Sequence, residues 1–220
     1  MALAVLETIA SVLLVAGALL IPAGAVRWPM AWAFVLVFSG FALVALLVLS
    51  NSLLRERSRL VAQGEPGDVV LSIAFALLLY PGTLIACGLD RRLGASPALP
   101  LWLQISALAS FVVGYGFSLW AMRVNPFFAT VVRIQSERGH HVVDQGPYAW
   151  VRHPGYAGAV LAHLLIPVAV GALWGLVPAV LGCLLLAARL VREERTLRRG
   201  LAGYTEYMSR VRWRLLPGVW

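Results

Sequence analysis

The chain has 220 residues, of which 60% are hydrophobic and 13% are charged, and its formal net charge is +8. This composition lies outside the range of soluble globular domains and predicts an integral membrane protein. The positive charge consists of arginines beside apolar runs, which indicates attraction to membrane lipid headgroups and not a nucleic-acid partner. Cys87 and Cys183 both lie inside apolar runs, so neither a disulfide framework nor a metal site is indicated.

Four apolar runs fill the first half of the chain, and each is close to the roughly 20 residues that cross a bilayer. The first run could instead be a cleaved signal peptide ending near Ala23. No positive charge precedes it and it exceeds a signal core, which favours a retained helix. We therefore predict a transmembrane scaffold of four helices over residues 1–122. The runs are 3–26, 30–49, 69–89 (interrupted by Pro81 and Gly82) and 99–122.

A fifth apolar run, residues 154–191, has 38 residues and is too long for one crossing. It predicts two helices that form a tight hairpin with a turn near residues 171–175. The fold class is therefore an all-α integral membrane bundle of about six helices, in which residues 123–220 form the catalytic half.

The arginines are distributed unevenly along the chain. All 18 basic residues are arginine, and only Arg27, Arg91 and Arg92 fall on one side of the predicted crossings. The positive-inside rule then places both termini in the cytoplasm, which six crossings allow. The lysine-free composition, rich in alanine, leucine and arginine, is typical of high-GC bacteria and indicates a bacterial inner membrane. The cytoplasmic arginines are Arg55, Arg57, Arg59, Arg123, Arg133, Arg138, Arg152, Arg189, Arg192, Arg195, Arg198, Arg199, Arg210, Arg212 and Arg214.

The connection over residues 123–153 is too long for a simple loop in a compact protein. Its valines predict that it lies at the membrane interface and folds back under the helices. After residue 200 the tail mixes tyrosine, tryptophan and arginine, which is typical of a segment at the headgroup level. We predict that the connection and the tail together form a cytoplasmic pocket.

The densest group of polar side chains lies in residues 146–158, directly before the hairpin. Pro154 can occupy the first helical turn, so His153 would stand at a helix N-terminus, where anions bind. Alternatively, His153 caps or packs the helix, and Tyr148 and Tyr156 are interfacial aromatics. The grouping favours a site where a polar cofactor meets an apolar substrate.

Arg189 and Glu193 are spaced i, i+4 and share one helix face. An ordinary helix-end ion pair is one interpretation. However, Arg189 lies inside the apolar run, where a charge must face the bundle interior or a wet cavity. Arginine is also suited to hold a carboxylate through two parallel hydrogen bonds, so Arg189 is a candidate for binding one.

Two further histidine features indicate structure more than catalysis. His163 lies in the middle of a predicted crossing, where a neutral histidine bonded to a neighbouring helix is the simpler interpretation. The adjacent His140 and His141 diverge and have no third ligand nearby in the sequence, so no metal is predicted.

These motifs resemble the isoprenylcysteine carboxyl methyltransferase family and its phospholipid-methyltransferase relatives. The resemblance covers about residues 120–220. The order is Asn-Pro-Phe-Phe at 125–128, Gly-Pro-Tyr at 146–148, Arg-His-Pro-x-Tyr-x-Gly at 152–158, the apolar hairpin, Glu-Glu at 193–194 and a closing Arg-Leu-Leu-Pro-Gly-Val-Trp.

The resemblance implies a membrane enzyme that transfers a methyl group from S-adenosylmethionine to a lipophilic acceptor, most simply a carboxylate, with a thiol or an amine as the alternatives. The acceptor, a small molecule or a lipid-anchored group, would enter from the bilayer. Arg189 would face the acceptor carboxylate, Glu193 would complete the cofactor pocket, and Arg133 is the alternative to Gln135. The implied cofactor-binding residues are Gln135, His140, His141, Val142, Val143, Tyr148, His153, Pro154, Gly155, Tyr156 and Glu193.

Two other functions compete with this interpretation. A sterol-reductase-like enzyme that uses NADPH has a similar Arg-His-x-x-Tyr hairpin, although the acidic cysteine-containing segment of such enzymes is missing here. A membrane scaffold without catalytic activity is the other alternative. Binding of S-adenosylhomocysteine, of reduced nicotinamide, or of neither ligand separates the three.

Overall fold

The computed structural model describes residues 2–50, 53–54, 66–129 and 131–220, and its regular structure in these ranges is entirely helical. Arg55, Arg57 and Arg59, which contributed to the predicted orientation, lie outside the described residues. The helices are α1 (Ala2–Ala23), α2 (Pro29–Val48), α3 (Pro66–Leu77), α4 (Thr83–Leu93), α5 (Leu101–Val124), α6 (Pro154–Val170), α7 (Leu176–Gly200) and α8 (Tyr204–Arg210).

The predicted all-α membrane bundle is confirmed. Five helical stretches in the described ranges are long and apolar enough to cross a membrane. The shorter α6 has 17 residues, or about 25 Å at 1.5 Å per residue. Many large apolar side chains point outward, among them Ile21 and Leu47, which are 79% and 75% exposed. An exposed apolar surface of this kind is suited to lipid. The five stretches are Leu3–Ala23, Pro29–Val48, Asp68–Leu93, Leu101–Val124 and Leu173–Gly200.

The third crossing continues through Pro81 and Gly82, which interrupt its apolar run in the sequence. A π-helical turn, Leu78–Gly82, joins α3 to α4 without ending the helix. The Thr83 hydroxyl donates to the Leu78 carbonyl oxygen at 2.9 Å, which satisfies an acceptor within the widened turn. The π-turn places the Tyr80 ring against His163, with the ring centroids 4.6 Å apart. His163 Nδ1 bonds to the Ala159 carbonyl of its own helix and not, as predicted, to a neighbouring helix.

The hairpin α6–α7 turns at Gly171, as predicted, where the backbone adopts a left-handed φ of 73°. The buried Asp90 carboxylate, from the end of α4, fixes this turn. It accepts hydrogen bonds from the Ser96 hydroxyl at 2.5 Å and from the Trp174 backbone N–H at 3.0 Å. These bonds anchor the end of the hairpin that lies away from the polar motifs.

Glycines let α5 and α6 approach closely near the other end of the hairpin. A Cβ atom added at Gly158 would overlap the Gly114 carbonyl oxygen and lie 2.8 Å from the Ser118 backbone nitrogen. The Ser118 hydroxyl donates to the Gly155 carbonyl oxygen at 2.8 Å. The first turn of α6 is therefore held rigidly against α5.

The connection and the tail pack together beneath the bundle, as predicted. Leu201, Tyr204, Tyr207 and Val211 form a small core with side chains of the connection, including Val142. The backbone N–H groups of residues 152 and 153 donate to the carbonyl oxygens of residues 213 and 214, both at 2.9 Å. The tail thus holds the segment that enters α6.

Candidate functional site

A hollow lies where the connection, the first turn of α6, the last turns of α7 and the tail meet. It contains about 800 Å³ of empty space, including the part that opens to solvent. Its lining combines aromatic and aliphatic side chains with a few ionisable ones, as ligand pockets generally do. The lining residues are Asn125, Phe127, Phe128, Ala129, Val131, Val132, Arg133, His140, His141, Val142, Val143, Tyr148, Arg152, His153, Gly155, Tyr156, Arg189, Glu193, Leu197, Leu201, Tyr204 and Tyr207.

The start of α6 is built as the sequence predicted. His153 is the N-cap residue and Pro154 occupies the first helical position, where its missing N–H is not needed. The His153 and Tyr156 rings are parallel, with centroids 5.6 Å apart, and both line the hollow. Gly155 lets the Phe128 ring approach, since an added Cβ would lie 2.6 Å from that ring. The positive end of the α6 dipole therefore borders the hollow.

Glu194 is the hub of a buried charged network behind this helix end. Its carboxylate accepts a hydrogen bond from Arg152 Nε at 2.6 Å and another from Arg214 Nε at 2.7 Å. His153 Nε2 lies 3.3 Å from the same carboxylate. Arg152 also donates to the backbone carbonyl oxygens of residues 211 and 212. This network holds α7, the tail and the N-cap residue of α6 in one arrangement.

Arg189 is the largest fully buried side chain at the site, with 2% of its surface exposed. Its Nη1 donates to the Tyr156 hydroxyl and lies 3.5 Å from the Glu193 carboxylate. The Tyr156 hydroxyl in turn donates to Glu193 Oε2 at 2.6 Å. The guanidinium also lies over the Phe75 ring, 5.5 Å from its centroid. The predicted pairing of Arg189 with Glu193 is present, and it faces the hollow.

Asp68 supplies a second carboxylate to Arg189 from the first turn of α3. Asp68 Oδ1 lies 3.4 Å from Arg189 Nε, and that nitrogen donates to the Ser72 hydroxyl at 2.9 Å. Asp68 Oδ2 accepts the backbone N–H of Val132 at 2.8 Å. The first half of the chain, predicted as scaffold, therefore contributes a buried charge to the site.

The two adjacent histidines lie on the connection and line the outer part of the hollow. The His140 ring stacks on Phe127 at 4.4 Å, and His140 Nδ1 accepts the Gln135 backbone N–H at 3.2 Å. Burial, together with the neighbouring His141 and Arg138 charges, lowers the pKa of His140. His140 is therefore neutral at pH 7 and presents an aromatic surface. Among the described residues, no cluster of three or more potential metal ligands includes either histidine.

Three tyrosines from the connection and the tail close the remaining wall. The Tyr207 hydroxyl donates to the Tyr148 carbonyl oxygen at 2.8 Å, and Asn125 donates to the Tyr148 hydroxyl at 3.2 Å. Burial raises the pKa of Tyr148 and Tyr204, so both remain neutral donors. The buried Tyr204 hydroxyl has no hydrogen-bond partner within the part of the chain that the structure describes. An orphaned donor in a pocket wall is suited to a ligand.

Ten of the residues predicted for the site line this hollow. Two do not. Gln135 is fully buried inside the connection, where its amide donates to the Phe127 carbonyl oxygen at 2.8 Å and accepts from Arg138. Pro154 is also absent from the lining, whereas Arg133, the alternative to Gln135, is part of it. The ten are His140, His141, Val142, Val143, Tyr148, His153, Gly155, Tyr156, Arg189 and Glu193.

Sequence reasoning missed Asp68, Tyr204 and the network around Glu194 as parts of the site. Asp68 had a usable signal, because it is an acidic residue directly at the edge of an apolar run, where a charge needs a partner. The Glu194 network had a weaker sequence signal. Its three side-chain partners, Arg214, His153 and Arg152, are separated from it in the chain by 20, 41 and 42 residues, and no periodic pattern links them.

This arrangement can hold an anion and a cation within one small space. The N-terminal end of α6 favours a negative group, Glu193 favours a positive one, and Arg189 favours a carboxylate. Arg189 lies one helical turn deeper along α7 than Glu193. The ionisable groups of the hollow therefore extend from the end of α7 towards the membrane-spanning part of that helix.

Two comparisons with known proteins bear on this region. Residues 107–199 match the model of the isoprenylcysteine carboxyl methyltransferase (ICMT) family, which confirms the resemblance predicted from the motifs. The chain is also 31% identical over 132 residues to the lamin-B receptor of Drosophila melanogaster. That alignment spans 54% of this chain but only 17% of the relative. The residues matched by the family model include α6 with its N-cap His153 and most of α7, and thus also Tyr156, Arg189 and Glu193.

Proposed function

We propose that the protein transfers a methyl group from S-adenosylmethionine to a lipophilic carboxylic acid, a proposal supported by the match of residues 107–199 to the model of the isoprenylcysteine carboxyl methyltransferase family. The observation that carries the proposal is the hollow shared by Arg189, Tyr156 and Glu193 at the end of a membrane bundle. A polar cofactor and an apolar acid can both reach such a place, one from water and the other from the bilayer.

The residues of the hollow fit the cofactor. Glu193, whose side chain is 24% exposed, suits an ammonium group, and the N-terminal end of α6 suits a carboxylate. The orphaned Tyr204 hydroxyl offers a hydrogen bond that nothing among the described residues takes up. His140, which is neutral and stacked on Phe127, offers a flat aromatic surface for the adenine ring of the cofactor.

The reaction needs positioning more than proton transfer. When bound, S-adenosylmethionine supplies a methyl group on a positively charged sulfur, which an ionised carboxylate accepts on oxygen without proton transfer while the sulfur leaves as a neutral thioether. The chain therefore has to align the acceptor and exclude water. Arg189 would hold the acceptor carboxylate, and the connection and the tail would cover the hollow from the solvent side.

The acceptor must compete for Arg189 with groups of the protein. Tyr156 and Glu193 occupy its Nη1 side, and Glu193 is partly exposed, so an arriving carboxylate can replace it there. A buried guanidinium favours an acid over an amine or a thiol, because only the acid compensates its charge. The lipophilic part of the acceptor would stay among the apolar helices and enter sideways from the membrane.

Cofactor binding is the first test. We expect S-adenosylhomocysteine to bind the purified protein in lipid nanodiscs with micromolar affinity, measured by calorimetry. Glu193→Gln and Tyr204→Phe should each weaken this binding by about five- to tenfold, the value of one lost hydrogen bond. Phe128→Leu, a change of an aromatic contact, serves as the control for general disturbance of the pocket. Binding of NADPH in place of S-adenosylhomocysteine would instead support a reductase, and binding of neither a scaffold.

Methyl transfer is the second test, with N-acetyl-S-farnesylcysteine as the acid and its carboxamide as the matched control. We expect labelled methyl to enter the acid only. Arg189→Ala should lower turnover by about a hundredfold, as misplacement of a reacting group does, while S-adenosylhomocysteine still binds. Loss of cofactor binding in a folded Arg189→Ala protein would reassign this arginine to the cofactor. Equal labelling of the amide would contradict a carboxylate acceptor.

A further inference from the structure

Asp68 has an environment that is unusual for a residue at the start of a membrane helix. It is 6% exposed and lies in the first turn of α3, far in sequence from the motifs of the hollow. One oxygen, Oδ2, accepts the Val132 backbone N–H at 2.8 Å. The other, Oδ1, is buried and has no hydrogen-bond partner among the described residues, although it faces Arg189 Nε at 3.4 Å.

The guanidinium of Arg189 is held from two sides by different elements. Nη1 is directed to Tyr156 and Glu193, which line the hollow. Nε is directed to Ser72 and Asp68 on α3. Neither Asp68 nor Ser72 lines the hollow. The contacts with α3 therefore hold the guanidinium in place, and its Nη1 side is the one that a ligand in the hollow can reach.

This division matters when an acid arrives. The carboxylate of the acceptor takes the Nη1 side and replaces Glu193, so Arg189 loses one of the two carboxylates that lie beside it within the described ranges. Asp68 remains beside Nε throughout, so one carboxylate continues to compensate the guanidinium charge and to fix its orientation. Its Oδ1 can tighten onto Nε by taking over the N–H that Nε now donates to the Ser72 hydroxyl, and Asp68 keeps its bond to Val132 because Oδ2 alone accepts that N–H.

Asp68 also connects Arg189 to the connection over the hollow. The residue whose N–H it accepts, Val132, lines the hollow together with the next residue, Arg133. A shift of the Asp68 carboxylate would therefore displace both Arg189, which is proposed to bind the methyl acceptor, and the part of the pocket wall that Val132 and Arg133 form.

We infer that Asp68 is a positioning residue, which holds the Arg189 guanidinium by its Nε side so that the Nη1 side presents the acceptor carboxylate to the methyl group. The inference rests on the proposed function and goes beyond it. A merely structural counter-ion would stabilise the fold and leave the orientation of a bound acid unaffected. A positioning residue affects turnover more than binding.

Asp68→Asn is the decisive variant, because asparagine keeps the shape and can still accept from Val132 while its charge is removed. Turnover and KM would be measured with N-acetyl-S-farnesylcysteine in nanodiscs. We expect kcat to fall about tenfold or more, as for a misaligned reactant. KM for the acid should stay within about threefold of the wild-type value or decrease, since the variant removes one protein carboxylate that competes with the acid for Arg189.

Two further variants separate charge from packing. Asp68→Glu restores the charge one methylene further out, so kcat should recover to a value between those of Asp68→Asn and wild type. Ser72→Ala removes the uncharged partner of the same Nε atom, and kcat should change by less than about threefold, because the Asp68 carboxylate still compensates and orients the guanidinium. If Asp68→Asn does not fold, a larger kcat loss in Asp68→Glu than in Ser72→Ala, at unchanged KM, supports the inference, and equal values overturn it.

Equilibrium binding of the acid in the presence of S-adenosylhomocysteine gives a readout that does not need turnover. Asp68→Asn should bind the acid as tightly as wild type or more tightly, and should bind S-adenosylhomocysteine normally. A wild-type kcat in Asp68→Asn, or an acid affinity lowered about tenfold, overturns the role of Asp68. Failure of the wild-type protein to bind S-adenosylhomocysteine instead overturns the proposed function itself.

Discussion

Glu193 and Glu194 are adjacent on α7 but have opposite environments. The Glu193 side chain is 24% exposed and lines the hollow, whereas Glu194 is 4% exposed and is surrounded by Arg152, His153 and Arg214. Since consecutive helical residues point about 100° apart, one faces the hollow and the other faces the tail. The same residue type therefore lines the hollow at one position and holds the structure together at the next.

This contrast predicts different results for the same substitution. Glu194→Gln leaves the buried Arg152 guanidinium without its carboxylate, so the free energy of unfolding should fall by about 3 kcal/mol or more. Glu193→Gln should lower it by less than Glu194→Gln does, because Glu193 is partly exposed and Arg189 keeps the Asp68 carboxylate, while cofactor binding weakens. Thermal unfolding in detergent and calorimetry measure the two quantities. Equal destabilisation by the two variants would contradict the assignment.

At the scale of elements, the hairpin α6–α7 is fixed at both of its ends. Asp90 holds its turn through Ser96 and Trp174, and the glycine contact between α5 and α6 holds its start. Because α6 carries His153 and Tyr156 in or before its first turn, a small rotation of α6 would displace both from the hollow. The close packing of α5 and α6 is therefore a condition for the site.

The glycine contact can be tested with one substitution at two positions. Gly158→Ala places a methyl group against the backbone of α5 and should destabilise the protein by about 1–3 kcal/mol through overpacking. Gly40→Ala on α2 has no atom within 4 Å of the new methyl group. It should be neutral or stabilise by up to about 1 kcal/mol through helix propensity. Thermal unfolding of both variants in one detergent gives the comparison.

On the scale of the whole molecule, polarity is concentrated at one end of the bundle. The hollow, the connection and the arginine-containing tail lie together there, while Asp90 and Ser96 close the other end around the hairpin turn. From the positive-inside rule we expect the hollow to face the cytoplasm, where S-adenosylmethionine is available. Under the proposed function, the acceptor would reach Arg189 from the inner leaflet.

Cysteine labelling of intact cells tests this orientation. Ser136 in the connection and Ala98 between α4 and α5 are both exposed and lie at opposite ends of the bundle. A membrane-impermeant maleimide should label Ala98→Cys in intact cells and Ser136→Cys only after the cells are opened. The wild-type protein, whose Cys87 and Cys183 lie in spanning helices, gives the background. The reverse pattern would place the site outside.

The sequence by itself determined the membrane class, the helical crossings, the hairpin turn and the position of His153 at the start of α6. These follow from local physics, because the length of an apolar run, a left-handed glycine and a proline at the first helical position act within one segment. It also indicated that Arg189 must face the interior, since a charge at that depth needs compensation.

Only the tertiary structure decided which groups provide that compensation. Ser72 lies 117 residues before Arg189, and Asp68 lies on the same helix one turn earlier, so their meeting depends on how α3 and α7 are rotated against each other. The same holds for Glu194 with Arg152 and for Gln135, whose amide turned inward to bond the backbone. Helix rotation and depth are set by side-chain packing between distant segments, and no pattern within one segment encodes them.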